Sequence, residues 1–349
     1  MVKLEPPYYP IIYVRGYAMT SDEIEDTVAD PYMGFNLGST KIRMGGGDRP
    51  TRHYFESPVV RLMKDHGYSD IYRDGAELGR NGPISPRSII IYRYYDAVSQ
   101  SFSPGDPIPI EGFAAGLHDL ILKVRDTLDI PPAQRAEFKV NLVAHSMGGL
   151  VVRCFLQNDK IGTAETKAMV DKVFTYATPH NGIEFDVIGN VPGFLSANSM
   201  NNFSRERMHD YLQTWSDPDR VDSLEGRFDP DRFFCLVGTN AHDYTVAKGW
   251  SARMVGPSSD GLVRIANAGV TGPTGDPARP VKLAPRAFVN RSHSGHYGIV
   301  NSEDGYQNLS RFLFGDVRVD GVLSVKSISL PPEIEAELND GKHIEADYH

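Results

Sequence analysis

Phe138-Lys139-Val140-Asn141-Leu142-Val143-Ala144-His145-Ser146-Met147-Gly148-Gly149 is the stretch that decides the fold of this 349-residue chain. Residues 138 to 144 are a short run rich in Val and Leu, set off upstream by Pro131-Pro132, which is the pattern of a buried strand. After Ser146 the apolar residues Met147, Leu150, Val151, Cys154 and Phe155 fall at i, i+3, i+4, i+7 and i+8, one face of a helix. Ser146 therefore sits where a strand turns sharply into a helix. Such a turn crowds the positions two before and two after the serine, and these are Ala144 and Gly148. The geometry lifts the serine oxygen above the sheet and aims helix N–H groups at the same point, which suits a nucleophile beside a developing oxyanion. Small residues around a serine also recur by chance. The strand before and the helix after are the context that separates a nucleophile from such coincidences.

Outward from this turn, strands alternate with helices. Strands are expected at 10–14, 88–95, 138–144, 172–177, 233–237 and around 286–290. Helices are expected at 55–66, opened by Ser57-Pro58, at 111–128, after Ser146, and near 304–314. Short apolar strands separated by helices argue an α/β fold with a mostly parallel sheet flanked by helices on both faces. Catalytic groups in such sheets collect at the carboxyl ends of the strands. Two stretches break the rhythm. Residues 18–54, with Gly45-Gly46-Gly47, are expected as a rim loop, and 180–231, with Met200, Phe203, Met208, Tyr211, Leu212 and Trp215, as a cap or lid insertion. The competing reading is that both only decorate the surface. Residues 1–315 then form the catalytic domain. Residues 316–349 are a C-terminal extension whose alternating segment 317–325 is read as the start of a β-domain, with an added edge hairpin as the alternative.

Composition narrows the class. Thirty-six basic against 45 acidic residues give a net charge of −9 with no basic block, which argues against nucleic-acid binding. No apolar run approaches the length of a membrane span. Cys154 and Cys235 fall in a helix and a strand and are expected buried and free. The start, Met1-Val2-Lys3-Leu4-Glu5-Pro6-Pro7, lacks the apolar core of a secretory signal. The expected locations are the cytoplasm, or outside the cell with the signal absent from this chain.

A nucleophilic serine needs a base, and the base an orienting acid. On a strand–serine–helix elbow the acid and then the histidine follow in later loops. Asp260, in Ser258-Ser259-Asp260-Gly261-Leu262-Val263, is the preferred acid, and Asp243 the alternative. His296 is the preferred base because Gly295 frees its backbone and apolar residues after it can anchor the loop. His293 is then left at the rim. His145 adjoins the nucleophile and projects elsewhere, and His180 is expected to anchor the cap. The N–H groups of Met147 and Tyr17 are the expected oxyanion donors, Tyr17 because Gly16 lets the loop approach closely.

Ala144-His145-Ser146-Met147-Gly148-Gly149, Thr178-Pro179-His180-Asn181-Gly182 and Ser259-Asp260-Gly261-Leu262-Val263 resemble the elbow, the Thr-Pro-His segment and the acid turn of bacterial triacylglycerol lipases. The chain thus resembles an α/β-hydrolase of the lipase and esterase kind over roughly residues 8 to 315. Val14-Arg15-Gly16-Tyr17 departs from the family's His-Gly loop, because Arg15 replaces the histidine. The resemblance implies hydrolysis of carboxylic esters through an acyl-enzyme on Ser146, with no cofactor. No metal is expected, since no full ligand set is matched. The substrate is expected to be a small-molecule or lipid ester, with transient contact to a lipid interface. The alternatives are an acyltransferase using the same acyl-enzyme, and a catalytically inactive hydrolase-fold binding protein.

Overall fold

The apolar run ahead of Ser146 is a six-residue strand, Val140–His145, with every residue buried. The structure, a computed structural model, describes residues 3–16, 39–44, 50–55, 57–71, 78, 82–92, 94, 109–183, 202–244, 258–273, 281–294, 298–317, 319, 324, 326–327 and 329–342. Its strands in chain order are β1 (Ile11–Val14), β2 (Ser39–Met44), β3 (Pro50–Phe55), β4 (Ser69–Ile71), β5 (Ser88–Tyr92), β6 (Val140–His145), β7 (Val170–Tyr176), β8 (Phe233–Gly238) and β9 (Arg286–Val289). Among the described residues seven of them form one sheet in the order β4-β5-β1-β6-β7-β8-β9, and every neighbouring pair is parallel. The helices are α1 (Ser57–His66), α2 (Ile110–Thr127), α3 (Met147–Gln157), α4 (Ala164–Ala168), α5 (Arg205–Leu212), α6 (Glu303–Phe314) and α7 (Pro332–Asn339).

Strand alternation sorts the apolar side chains into two layers. Ile12, Val14, Leu142, Ala144 and Val173 share one core with Leu117 and Ile121 of α2, Leu150 and Phe155 of α3, and Met208 and Leu212 of α5. Ile11, Tyr13, Val143, Phe174 and Tyr176 share the other with Val59 and Leu62 of α1 and Tyr306, Leu309 and Leu313 of α6. A sheet covered on both faces demands such continuous apolar strands, each fully buried Val, Leu or Ile contributing about 1.5–3 kcal/mol. The second layer is pinned at its outer edge by polar contacts. Arg61 of α1 pairs with Glu303 at 2.7 Å, and the Tyr306 hydroxyl donates to Asp65 at 2.9 Å. Ser302 caps α6 by accepting from the Gly305 N–H at 2.9 Å, and Glu303 and Asp304 complement the dipole of its first turn.

The expected parallel sheet and its flanking helices are present, with ends shifted by a few residues. The rim loop expected at 18–54 contains an antiparallel hairpin, β2 with β3. Within the cap segment, residues 184–201 lie outside the described residues, but 202–231 are not loosely attached. Met208, Tyr211 and Leu212 are buried in the main core, and the Tyr211 hydroxyl donates to the Asn202 carbonyl at 2.8 Å. Trp215 stays exposed, stacked on His209. Of the alternating segment 317–325, only 317, 319 and 324 are described, and none is in a strand. Helix α7 beyond it has no buried residue. Cys154 and Cys235 are buried and free, as expected.

What fastens residues 202–231 is a buried cation that the helical pattern of α3 did not announce. Arg153 is fully buried. Its Nη1 donates to the His180 carbonyl at 2.7 Å, Nη2 to the carbonyls of Val221 and Ser223 at 2.7 and 2.9 Å, and Nε to Gln157 at 2.9 Å. Gln157 donates onward to the carbonyls of Leu212 and Ser223, and Asn158 to that of Tyr211. Burial lowers the Arg153 pKa to about 10, which leaves the guanidinium charged at neutral pH. Replacing Arg153 takes the donor from the buried carbonyls of His180 and Val221 and from Gln157 Oε1, while the Ser223 carbonyl keeps Gln157. Arg153→Met is expected to destabilise the protein by about 3 kcal/mol or more, read as a shift of the urea midpoint. A loss under about 1 kcal/mol would contradict this account of the network.

Candidate active site

The turn from β6 to α3 forces Ser146 into φ 53°, ψ −127°, a conformation rare for a residue with a side chain. Its backbone is fixed from both sides. The Ser146 N–H donates to the Tyr176 carbonyl at 2.9 Å, and its own carbonyl accepts from the Thr178 hydroxyl at 2.9 Å. The crowding read from the sequence is visible as distances. A Cβ on Gly148 would stand 2.3 Å from the Val14 carbonyl oxygen, so nothing larger fits between α3 and the end of β1. A Cβ on Gly16 would stand 3.2 Å from the Ser146 Cβ, so the loop after β1 runs directly over the serine. Ser146 is only half-buried, amid neighbours that are almost all fully buried.

Two loops at the carboxyl ends of β8 and β9 deliver a carboxylate and an imidazole to this point. Asp260 is buried, and its Oδ1 accepts the backbone N–H groups of Leu262 and Val263 at 3.0 and 2.7 Å. His293, four residues beyond β9, places Nδ1 2.9 Å from Asp260 Oδ2 and Nε2 2.9 Å from Ser146 Oγ. A carboxylate can only accept, so Nδ1 carries the proton and Nε2 is free to accept from the serine hydroxyl. The backbone repeats the link, because the His293 N–H donates to the Asp260 carbonyl at 2.8 Å. The Tyr244 ring meets the His293 imidazole edge-on, with centroids 5.9 Å apart and planes at 84°.

The structure therefore brings together Ser146, Asp260 and His293, not the Ser146, Asp260 and His296 expected from sequence. His293, expected at the rim, holds the position between serine and acid. His296 and Tyr17 lie outside the described residues. The physical reason is the shortness of the loop. Three residues separate Val289 from His293, and buried Ser292 fixes that loop by accepting the Ile299 N–H at its carbonyl. The backbone freedom offered by Gly295, two residues further on, is not needed. Proximity to the strand end was the signal that favoured His293. The Asp243 carboxylate accepts from Asn240 within its own turn at 2.7 Å, while Asp260 holds the hydrogen bond to His293 Nδ1. Met147 is the first residue of α3, so its N–H is among the donors the helix leaves unpaired. No group of three or more His, Cys, Asp or Glu arranged to hold a metal ion occurs among the described residues. No helix among them is long and apolar enough to cross a membrane.

Two further histidines are buried close by. His145 donates from Nε2 to the His293 carbonyl at 3.1 Å. His180 meets the Thr175 hydroxyl at 3.1 Å through Nε2. Because that hydroxyl donates to the Phe234 carbonyl, His180 Nε2 must be the donor and its buried Nδ1 is left bare. Burial lowers the His145 pKa to about 3 and that of His180 well below its ordinary 6.5, so both are neutral.

Residues 115–268 match the family model described as PGAP1-like alpha/beta domain, which is less than half of the chain. Solved structures similar to it include the mature lipase BlEst2 of Bacillus licheniformis, at 15% identity over 89% of this chain and 94% of that one, with a TM-score of 0.45. Phospholipase PlaB from Legionella pneumophila aligns at 15% identity over 87% of this chain and 59% of that one, with a TM-score of 0.48. Lipase 1 from Pelosinus fermentans aligns at 13% identity over 89% and 100%, with a TM-score of 0.36. The chain thus spans well under two thirds of the Legionella phospholipase. No curated protein matches it. The all-parallel sheet with helices packed on both faces is an α/β architecture, and the similar solved structures include bacterial proteins described as lipases and a phospholipase.

The two neutral histidines make stability depend on pH with a definite sign. Between their lowered folded pKa values and 6.5 the unfolded chain binds more protons than the folded one, so stability falls as pH drops below about 6.5. His180→Gln removes one of the two groups. Its urea-unfolding free energy is expected to decline between pH 6 and pH 5 less steeply than that of the wild type, by about 1 kcal/mol per pH unit. Equal slopes would contradict the buried neutral state.

Proposed function

We propose that this protein is a serine hydrolase that cleaves carboxylic esters through an acyl-enzyme on Ser146. The observation that carries the proposal is the continuous hydrogen-bonded path from Ser146 Oγ through the His293 imidazole to Asp260, with both links 2.9 Å. His293 Nε2 takes the serine proton as Oγ attacks the ester carbonyl. Asp260 holds the Nδ1–H tautomer and stabilises the imidazolium that forms. The developing oxyanion is held by the Met147 N–H at the start of α3 and by an N–H of the loop after β1, assigned to Tyr17. His293 then hands its proton to the departing alcohol, and as base again it activates the water that cleaves the acyl-enzyme. The positive φ at Ser146 supports this reading, because backbone strain of this kind persists where function requires it.

The same acyl-enzyme would serve transfer to an alcohol, and the ratio of hydrolysis to transfer in a glycerol titration separates the two. For hydrolysis of short and long p-nitrophenyl esters, Ser146→Ala is expected to abolish turnover, and His293→Asn and Asp260→Asn each to lower kcat about 10³–10⁴-fold. His296→Asn is expected to cost less than about tenfold. The reverse pattern, with His296→Asn inactive and His293→Asn active, would move the base to His296. Persistent turnover by folded Ser146→Ala would end the proposal.

A further inference from the structure

His145 lies on β6 immediately before the serine, yet it is engaged with neither Ser146 nor Asp260. It is buried, and its ring centroid is 5.1 Å from that of His293, with the planes tilted by 38°. Its Nε2–H reaches across 148 positions of sequence to the carbonyl of the residue whose ring faces Ser146. On its other side, a Cβ on Gly16 would stand 2.8 Å from Nδ1 and 3.4 Å from Cε1. One imidazole therefore fills the gap between the loop after β1 and the loop after β9. The strand beneath it is held on both sides, by β1 and β7. From this geometry we infer that His145 is a positioning residue. It sets the His293 loop and the oxyanion loop at Gly16 against each other, so that base and oxyanion donors converge on one point above Ser146. The inference rests on the proposed acyl-enzyme chemistry and deepens it.

The charge state agrees with that geometry. A neutral ring with its proton on Nε2 turns Nδ1, as an acceptor, toward Gly16. Burial disfavours a proton on the ring most; among the described residues the His293 imidazole and Arg15, just beyond β1, disfavour it as well, while the His293 carbonyl to which it donates favours one. Tyr176, paired with His145 in register on β7, is itself held as the phenol by burial. A charged ring here would stand beside the imidazolium that His293 becomes during the reaction and oppose its formation. A neutral donor gives the loop a hydrogen bond without that repulsion.

The test compares His145→Gln, which keeps a neutral N–H donor able to reach the His293 carbonyl, with His145→Met, of similar length and no donor. Hydrolysis of p-nitrophenyl butyrate is measured with kcat expressed per Ser146 titrated by a fluorophosphonate, so that loss of folded protein lowers the titre and not kcat. His145→Met is expected to lose on the order of 10²-fold in kcat with KM little changed, as for a displaced catalytic group. His145→Gln is expected to stay within about tenfold of the wild type. If His145→Met does not fold, His145→Asn, whose amide is too short to reach the carbonyl, takes its place with the same expected loss. A wild-type kcat in the donor-less variant, or a glutamine variant no better than it, overturns the inference while leaving the function intact. Undiminished hydrolysis by the Ser146→Ala control overturns the function, and this inference with it.

Discussion

The conformation of Ser146 is the constraint on which the rest of the molecule turns. A residue with a side chain at φ 53° is unfavourable by roughly 1–3 kcal/mol, and it persists only because its surroundings leave no alternative. Tyr176 and Thr178 hold its N–H and carbonyl from the β7 side. The carbonyls of Val14 and Arg15 press on Gly148 from the β1 side. The two strands that flank β6 therefore do more than fill the sheet. They close on the turn from both sides and keep the serine oxygen above it. Ala177, next along from Tyr176, also has a positive φ, 47°, so the strain is shared by neighbouring strand ends.

Around that turn the protein uses buried polar groups for orientation and apolar groups for cohesion. Among the described residues no carboxylate pairs directly with Arg153. The guanidinium is satisfied by three backbone carbonyls and Gln157, which ties 221–223 and the His180 turn to the helix that begins at the serine. Asn181 extends the same joint. Its Oδ1 accepts from the Val221 N–H, its Nδ2 donates to Asn267, and its carbonyl accepts from Arg205. Each removed partner would leave a buried group unpaired, so such networks fix one arrangement more than they add net stability. Residues 202–231 consequently belong to the rigid frame of the site.

How much of this was legible in the sequence depends on what each residue's pattern encodes. β1 and β5 to β9 are apolar runs between turn residues, and the larger helices have wide apolar faces, so both were readable. β4 is three residues, Ser69-Asp70-Ile71, made a strand only by pairing with β5. α5 reads Arg205-Glu206-Arg207-Met208-His209-Asp210-Tyr211-Leu212, too short and polar to stand out. Its apolar face is revealed only by what it packs against. Ser146 and Asp260 could be singled out because the elbow and the Asp-Gly turn are local signals. The choice between His293 and His296 is not local. It is made by the reach of the loop after β9 and by a backbone bond from His293 to Asp260, 33 residues away in sequence. Arg153 was hidden for the same kind of reason: nothing in its neighbourhood on α3 says that three carbonyls from other segments converge on it.

The claim at the centre of this account is that Ser146 becomes covalently acylated with His293 as its base. Acid-quenched reactions of the protein with a p-nitrophenyl ester, digested and analysed by mass spectrometry, test it directly. The account predicts the acyl group on the peptide containing Ser146 in the wild type, and its disappearance in His293→Ala. Acylation of another residue, or sustained hydrolysis with no acylated Ser146 after a pre-steady-state burst, would contradict it.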